Sequence, residues 1–146
     1  MEHNEIHSEN LSLSSSVGPD SIIYVTLGGK ITNGNLDVFA AWTKGLQSQI
    51  DMMAARKKFP ILVYSDVSRV EHFERKPIKP LRELFEHDKQ YEMKSAIVGA
   101  SFFVAKLIDA IVEFTGRTDV RQFETKKDAL AWLLGAAAAE PVSEEK

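Results

Sequence analysis

Residues 95–116 read SAIVGASFFVAKLIDAIVEFTG, which predicts a buried strand, a glycine turn and a helix in direct succession. Residues 95–98 form the kind of short apolar run that is typical of a strand inside a parallel sheet. Ser101 is the predicted N-cap of the helix, and Gly116 is its predicted C-terminal stop. Such a strand–helix unit is characteristic of α/β proteins.

Further strand and helix patterns alternate on both sides of this unit. Residues 61–64 are a second short apolar run, followed by a helix that Pro77 and Pro80 open. Residues 120–123 are a third run, followed by a closing helix. Upstream, residues 33–58 carry apolar side chains at steps of three or four, which predicts a long helix. This alternation implies a largely parallel sheet with right-handed crossovers.

Two strands joined by a turn precede the long helix. Leu11 and Leu13 alternate with serines, and residues 21–27 are rich in β-branched and aromatic side chains. The turn signal Gly18-Pro19-Asp20 separates them, so the two segments predict a β-hairpin. The sequence therefore predicts an α/β fold with a mixed, mostly parallel five-stranded sheet, an N-terminal β-hairpin and about four helices.

One domain is expected from residue 9 to residue 135, because 146 residues suit a single hydrophobic core. Residues 1–8 are polar and residues 136–146 consist mainly of alanine and charged residues, so both ends are predicted to be flexible. The net charge of −3 argues against nucleic-acid binding, which needs a concentrated basic face. A cytoplasmic protein is expected, because cysteine, a signal-peptide pattern and a membrane-length apolar stretch are all absent from the sequence.

Three segments resemble motifs of the SpoIIAA-like family of the STAS superfamily. Residues 25–32 (VTLGGKIT) are similar to its GKhT junction, where h is hydrophobic, and residues 95–99 (SAIVG) are similar to its AhhG strand end. Residues 120–133 (VRQFETKKDALAWL) are similar to its closing FxxxxxALxWL signature. The resemblance implies a STAS or CRAL-TRIO-like fold and a regulatory role. The superfamily includes anti-anti-sigma factors that bind a kinase and are switched by serine phosphorylation.

The sequence departs from those regulators at the phosphorylated turn. Their serine lies in an Asp-Ser-Ser-Gly-like turn before a helix, whereas the matching residues 72–78 read HFERKPI. This segment contains no serine or threonine. The phosphoswitch is therefore not expected in this chain.

Two segments could bind a ligand at the carboxyl edge of the sheet. Ser101 opens a helix whose free N–H groups could hold an anion, although helix capping alone explains this serine. Asp66 and Ser68 follow a central strand at the edge where α/β proteins bind ligands, although aspartate also favours turns. In both cases we favour the purely structural interpretation.

Enzymatic chemistry has little support in the sequence. His72 and His87 lack the His-Glu-x-x-His spacing of zinc sites and are interpreted as surface residues. No catalytic residue, metal ligand or cofactor is predicted, so we expect the protein not to be an enzyme.

The third predicted helix is unusually apolar. Its charged residues, Lys106, Asp109 and Glu113, form one narrow stripe, and the remaining surface exceeds the arc of about 100° that packing on a sheet requires. The closing helix, a second subunit or an apolar ligand could cover the excess, and we favour the closing helix. Phe103 and Phe114 fall about 20° apart on this helix and, with the adjacent Phe102, form the candidate patch for the other two covers.

Two functional hypotheses follow from these observations. The first is a protein-interaction or regulatory module whose partner is an unidentified protein or a second copy of the chain. The second is a carrier or sensor of a small apolar molecule such as a lipid, by analogy with the CRAL-TRIO-like fold. The second hypothesis predicts a cavity between the helices and the sheet, lined by residues such as Phe73, Leu84, Phe85, Phe103 and Leu107.

Overall fold

The alternating patterns fold into one mixed sheet with helices on both faces, as a computed structural model of residues 3–8 and 10–135 shows. The strands are β1 (His3–Ser8), β2 (Leu11–Val17), β3 (Ile22–Ile31), β4 (Ile61–Phe73), β5 (Met93–Val98) and β6 (Val120–Phe123). The helices are α1 (Leu36–Ala55), α2 (Ile78–Asp88), α3 (Phe102–Thr115) and α4 (Lys126–Leu133). The predicted α/β class and the four helices are confirmed.

The sheet contains the six strands in sequence order, one strand more than predicted. Strands β1, β2 and β3 are antiparallel, and β3 to β6 are parallel. The additional strand is β1, whose residues 3–8 were assigned to a flexible end because they are polar. His3, Glu5 and His7 are exposed on one face of β1, whereas Asn4 and Ile6 point towards α1. Residues 136–146, the predicted C-terminal tail, lie outside the described residues.

Helices α1, α2 and α3 pack on one face of the sheet, and α4 packs on the other. The three crossovers from β3 to β6 all step in the same direction across the sheet. Right-handed crossovers that step in one direction place their helices on one face. After the edge strand β6 the chain turns to the opposite face, where Ala129 and Leu133 of α4 pack against Ile22, Tyr64 and Ala96.

The expectation that the closing helix covers the third helix is therefore wrong. Helix α4 contacts β4, β5 and β6, whereas the neighbouring helix of α3 is α2. The apolar flank of α3 remains on the surface of the described part of the chain. Periodicity indicates which residues of α4 are buried, but it contains no information about the face of the sheet that they cover.

Strand β4 extends beyond its partner β5. Their pairing ends where Asp66 meets Val98, and the remainder of β4 pairs with β3 alone. Two irregularities interrupt the β3–β4 register along this extension, which ends at Phe73. The ring of Phe73 packs edge-to-face on Phe39 of α1, with the centroids 5.7 Å apart. Asp66 and its neighbours therefore lie at the carboxyl edge of the parallel strands, because β5 ends opposite Asp66.

Candidate interaction surface and internal cavity

Three phenylalanines lie exposed on α3, which faces outward beside α2. Phe102, Phe103 and Phe114 are 80%, 58% and 68% exposed, whereas Val104, Ile108, Ile111 and Thr115 bury the opposite face of the helix. The α3 face, defined here as Phe102, Phe103, Lys106, Ala110, Glu113 and Phe114, is thus apolar at both ends. It contains all three aromatic residues of the predicted patch.

Two cations touch the rings of the α3 face. Lys106 Nζ lies 5.5 Å from the centroid of Phe102, and the guanidinium carbon of Arg82 on α2 lies 4.8 Å from that of Phe114. Cation–π contacts at exposed sites contribute only about 0.5–1 kcal/mol each. They leave most of the ring surface in water, so the face retains apolar area that a partner could bury.

The polar residues at the carboxyl edge of the sheet have local structural roles. Ser101 caps α3, accepting a hydrogen bond from the Val104 N–H over 3.3 Å. Asp66 Oδ1 accepts hydrogen bonds from the N–H and the hydroxyl of Ser68, over 2.9 and 2.7 Å. These contacts agree with the capping and turn interpretations of the sequence.

Ser68 also packs against the turn that precedes α3. Gly99 has φ +85°, and a Cβ added there would lie only 2.6 Å from Cβ of Ser68. A side chain at this position would therefore face both backbone strain and a steric clash. The structure brings Ser68 and Gly99 together, a proximity that the sequence did not indicate.

An internal cavity of about 80 Å³ lies between the sheet and the helices α1, α2 and α3. Four of the five residues suggested for such a cavity line it, namely Phe73, Leu84, Phe85 and Leu107. Phe103 does not line it, because this ring points to the surface. The cavity wall is mostly apolar, with contributions from β3, β4, β5 and the three helices.

In the described conformation of the protein, the cavity is too small to hold a lipid. Sites for drug-sized ligands typically measure about 300–1,000 Å³, and an engineered cavity of about 150 Å³ in another protein holds benzene. A cavity of about 80 Å³ could hold a few water molecules or a ligand smaller than benzene. A larger ligand would require α2 and α3 to separate from the sheet.

A buried polar cluster, which no motif in the sequence indicated, forms one end of the cavity. Arg117 Nε donates to Asp119 over 2.8 Å, and its two terminal nitrogens lie 3.5 Å from Asp88 Oδ2 and 3.4 Å from Ser95 Oγ. The guanidinium also lies 5.5 Å from the ring centroid of Phe85. The only sequence signal was a single arginine between the helix stop Gly116 and the last strand.

His87 extends this polar cluster towards the surface. Its ring nitrogens lie 2.8 Å from Asp88 Oδ1 and 2.9 Å from Asp51 Oδ1, and the side chain is largely buried. The interpretation of His87 as a surface residue is therefore wrong, whereas His72 is exposed. The hydrogen bond to Asp88 raises the pKa of His87, although burial acts in the opposite direction. Burial raises the pKa of Asp88, and the contacts with His87 and Arg117 partly offset that effect.

Within residues 3–8 and 10–135, no group of three histidine or carboxylate side chains has an arrangement suited to a metal ion. Among the helices described, none combines the length and apolarity that crossing a membrane would need.

Comparisons with known proteins connect this chain to solved structures only. No protein-family model matches the sequence, and no curated protein matches it at a significant level. The chain is similar in structure to SLC26A9, with a TM-score of 0.58 and 18% identity over 90% of this chain and 25% of that one. It is also similar to an uncharacterized protein of the DUF3478 family from Shewanella loihica PV-4, described as having a SpoIIAA-like fold. Here the TM-score is 0.53, with 17% identity over 88% of this chain and 98% of that one.

These similarities show a SpoIIAA-like fold, as the resemblance of the sequence motifs implied. The chain spans about a quarter of the SLC26A9 chain and nearly the whole of the DUF3478 protein. Identities below 20% establish the fold alone, because one fold supports many functions.

Proposed function

We propose that this chain is a non-enzymatic protein-interaction module of the STAS type that acts in regulation in the cytoplasm. The observation that carries the proposal is the exposure of Phe102, Phe103 and Phe114 on one helix. At roughly 200 Å² per aromatic side chain, their exposed parts amount to about 400 Å². The three rings are spread along the helix with charged residues between them, and their summed exposed area is similar to that of the largest apolar patch on a typical monomer, which often has a function.

The start of α2 supports a form of regulation without the usual phosphorylated serine. The turn before α2 runs from Glu74 to Pro77 and contains no hydroxyl side chain. Its backbone is held instead by Asn33, whose side chain accepts a hydrogen bond from the Lys76 N–H over 2.9 Å. Glu74 in turn accepts from the Asn33 N–H over 2.7 Å. Binding by such a module would depend on the availability of its partner rather than on modification of this turn.

The roles of the polar side chains support the non-enzymatic part of the proposal. Ser101 is engaged in capping, Asp66 in its turn, and His87 between two carboxylates. A general base needs a proton acceptor within reach of a substrate. These groups instead satisfy the hydrogen bonds of their own chain.

Native mass spectrometry of protein purified gently from its own host tests the proposal. The experiment compares the unmodified chain with F103D and with the control L134D, because Leu134 is an exposed apolar residue at the end of α4. We expect a protein partner on the unmodified chain and on L134D, and its loss from F103D while the fold survives. Folded F103D protein that retains the partner in full would refute the assignment of the α3 face.

The second candidate function is transport or sensing of a small apolar molecule, and the cavity favours it. Its walls are apolar and end at the Arg117–Asp88 pair, an arrangement that could orient a ligand with one polar end. The same mass spectra test it, because a bound molecule would add its own mass to the chain. An added mass that persists in F103D would favour this candidate over the interaction module.

A further inference from the structure

We propose that the partner bound by the α3 face is a second copy of this chain. The two α3 helices pack antiparallel about a twofold axis that passes beside Ala110. The inference rests on the proposed function, since it names the partner of the same surface. The inference rests on the order of apolar and charged residues along the face. When two such faces are placed antiparallel, apolar residues meet apolar residues and opposite charges meet each other.

The apolar residues of the α3 face form a line with a phenylalanine at each end and a small residue near the middle, so the line is similar when its direction is reversed. Phe103, Ala110 and Phe114 lie within about 40° of one another around the helix, and the two rings are about 16 Å apart along its axis. The small, exposed Ala110 lies near the middle of the line. In an antiparallel pair each Phe103 meets the Phe114 of the partner subunit, and the alanines allow the two helices to approach closely.

A charged line runs beside the apolar one. Lys106 and Glu113 are both exposed and lie about 20° apart on one side of Phe103 and Phe114. Asp109, the third residue of the charged stripe, lies about 40° further around the helix, where it accepts a hydrogen bond from Gln122 over 2.9 Å. A twofold axis perpendicular to antiparallel helices keeps the two charged lines on the same side of the interface. Lys106 then lies opposite the partner's Glu113, and this contact occurs twice. A parallel pair would place the charged lines on opposite sides and lose both contacts.

A single twofold axis can pair the apolar line and the charged line with their counterparts on the partner subunit. The midpoint between Phe103 and Phe114 differs from the midpoint between Lys106 and Glu113 by one residue, or about 1.5 Å along the helix. An interface between identical subunits requires this self-complementarity, because the same patch must serve both copies. The exposed parts of Phe103 and Phe114 contribute about 500 Å² over the two copies, so with the residues between them the interface stays below about 1,200 Å², in the range of weak, transient complexes. We therefore expect a dimer that exchanges its subunits.

Charge reversal tests this arrangement with the full chain. Sedimentation velocity over about 10–300 µM protein would follow dimerisation of the unmodified chain, K106E, E113K, the double variant K106E/E113K and a mixture of the two single variants. Each single variant places like charges opposite each other twice, and we expect dimerisation to weaken roughly 10- to 30-fold. The double variant should dimerise like the unmodified chain, and the mixture should form heterodimers.

The outcomes separate this inference from the proposed function. A monomeric unmodified chain at every concentration, or single variants that dimerise as well as it does, would overturn the antiparallel pair. Failure of the double variant to regain dimerisation would do the same. If F103D nevertheless loses a different protein from the host while L134D keeps it, the interaction module stands with another partner. If F103D loses neither dimerisation nor a partner, both proposals fail.

Discussion

Arg117 Nη1 lies 3.5 Å from Asp88 Oδ2, and both side chains are almost completely enclosed at one end of the internal cavity. The pair connects the end of α2 to the segment before β6, two parts of the chain that are 29 residues apart. Removing either charge from such a site leaves the other buried without compensation. The cluster is therefore a sensitive point for the stability of this domain.

The substitution R117M should strongly destabilise the protein. Asp88 would lose its cationic neighbour within a poorly solvated site, and we expect a loss of about 3–5 kcal/mol in the free energy of unfolding. Urea denaturation would measure it. The control R75M removes an exposed arginine and should change stability by less than about 0.5 kcal/mol. The double variant R117M/D88N should recover part of the loss. Equal losses of stability in R117M and in the double variant would contradict the role of the ion pair.

The stability of the fold should fall as pH rises through the pKa of His87. The hydrogen bond to Asp88 raises this pKa above the unfolded value of 6.5, so the folded state favours the protonated ring. The stabilisation is fully present below pH 6.5 and is lost as pH rises through the folded pKa. The pKa of Asp88 is also raised, so its contribution to stability likewise falls as pH rises, beginning near its unfolded value of 3.8.

The variant H87Q isolates the contribution of the histidine. Urea unfolding of both proteins between about pH 5 and pH 9 should show that the stability advantage of the unmodified chain shrinks as pH rises. H72Q serves as a control at an exposed histidine. A difference between H87Q and the unmodified chain that stays constant over this range would contradict the raised pKa.

The substitution L84A should enlarge the cavity enough to admit benzene. The change removes roughly three carbon atoms from the wall, bringing about 80 Å³ towards the size that holds benzene in an engineered cavity. We expect a loss of about 2–5 kcal/mol in stability and a rise in melting temperature when benzene is added. The unmodified chain should show no such rise. Stabilisation of both proteins by benzene would mean that the native cavity opens readily, which would strengthen the carrier hypothesis.

The helical and strand periodicities made most of the fold predictable. Each apolar run that predicted a strand forms one, and the predicted cap Ser101 accepts the expected hydrogen bond. These features depend on residues close together in the sequence. The exposed Phe103 and Phe114 could also be selected, because an apolar arc that is too wide can be measured on the sequence alone.

The features that the sequence did not reveal depend on contacts between distant segments. The side of the sheet that α4 covers follows from the direction of the chain after β6, because no later strand restricts it. The Arg117–Asp88 pair joins two segments without a shared motif. Strand β1 was not predicted because nearly all of its side chains are polar. Exposed and half-buried residues alternate along most of it, but Ile6 is its single apolar residue, so the sequence shows no hydrophobic period of two.

Asn4 holds β1 against α1 through a contact that can be tested directly. Its side-chain nitrogen donates to the Trp42 carbonyl over 2.9 Å, and Trp42 Nε1 donates to the Asn4 carbonyl over 3.1 Å. A Cβ added to Gly45 of α1 would lie 2.5 Å from the side-chain oxygen of Asn4. The glycine is therefore needed because β1 lies beside it, although alanine would favour a helix.

Replacing Gly45 by alanine should consequently have opposite effects in two backgrounds. In the unmodified chain we expect G45A to destabilise the fold, because the new methyl group displaces the Asn4 side chain and its hydrogen bonds. In the N4A background the clash is absent, so G45A should stabilise by about 0.8–1 kcal/mol through helix propensity. Urea unfolding of the four proteins forms a double-mutant cycle that measures the coupling. Equal effects of G45A in both backgrounds would show that Asn4 does not lie against α1, and the position of β1 would then be wrong.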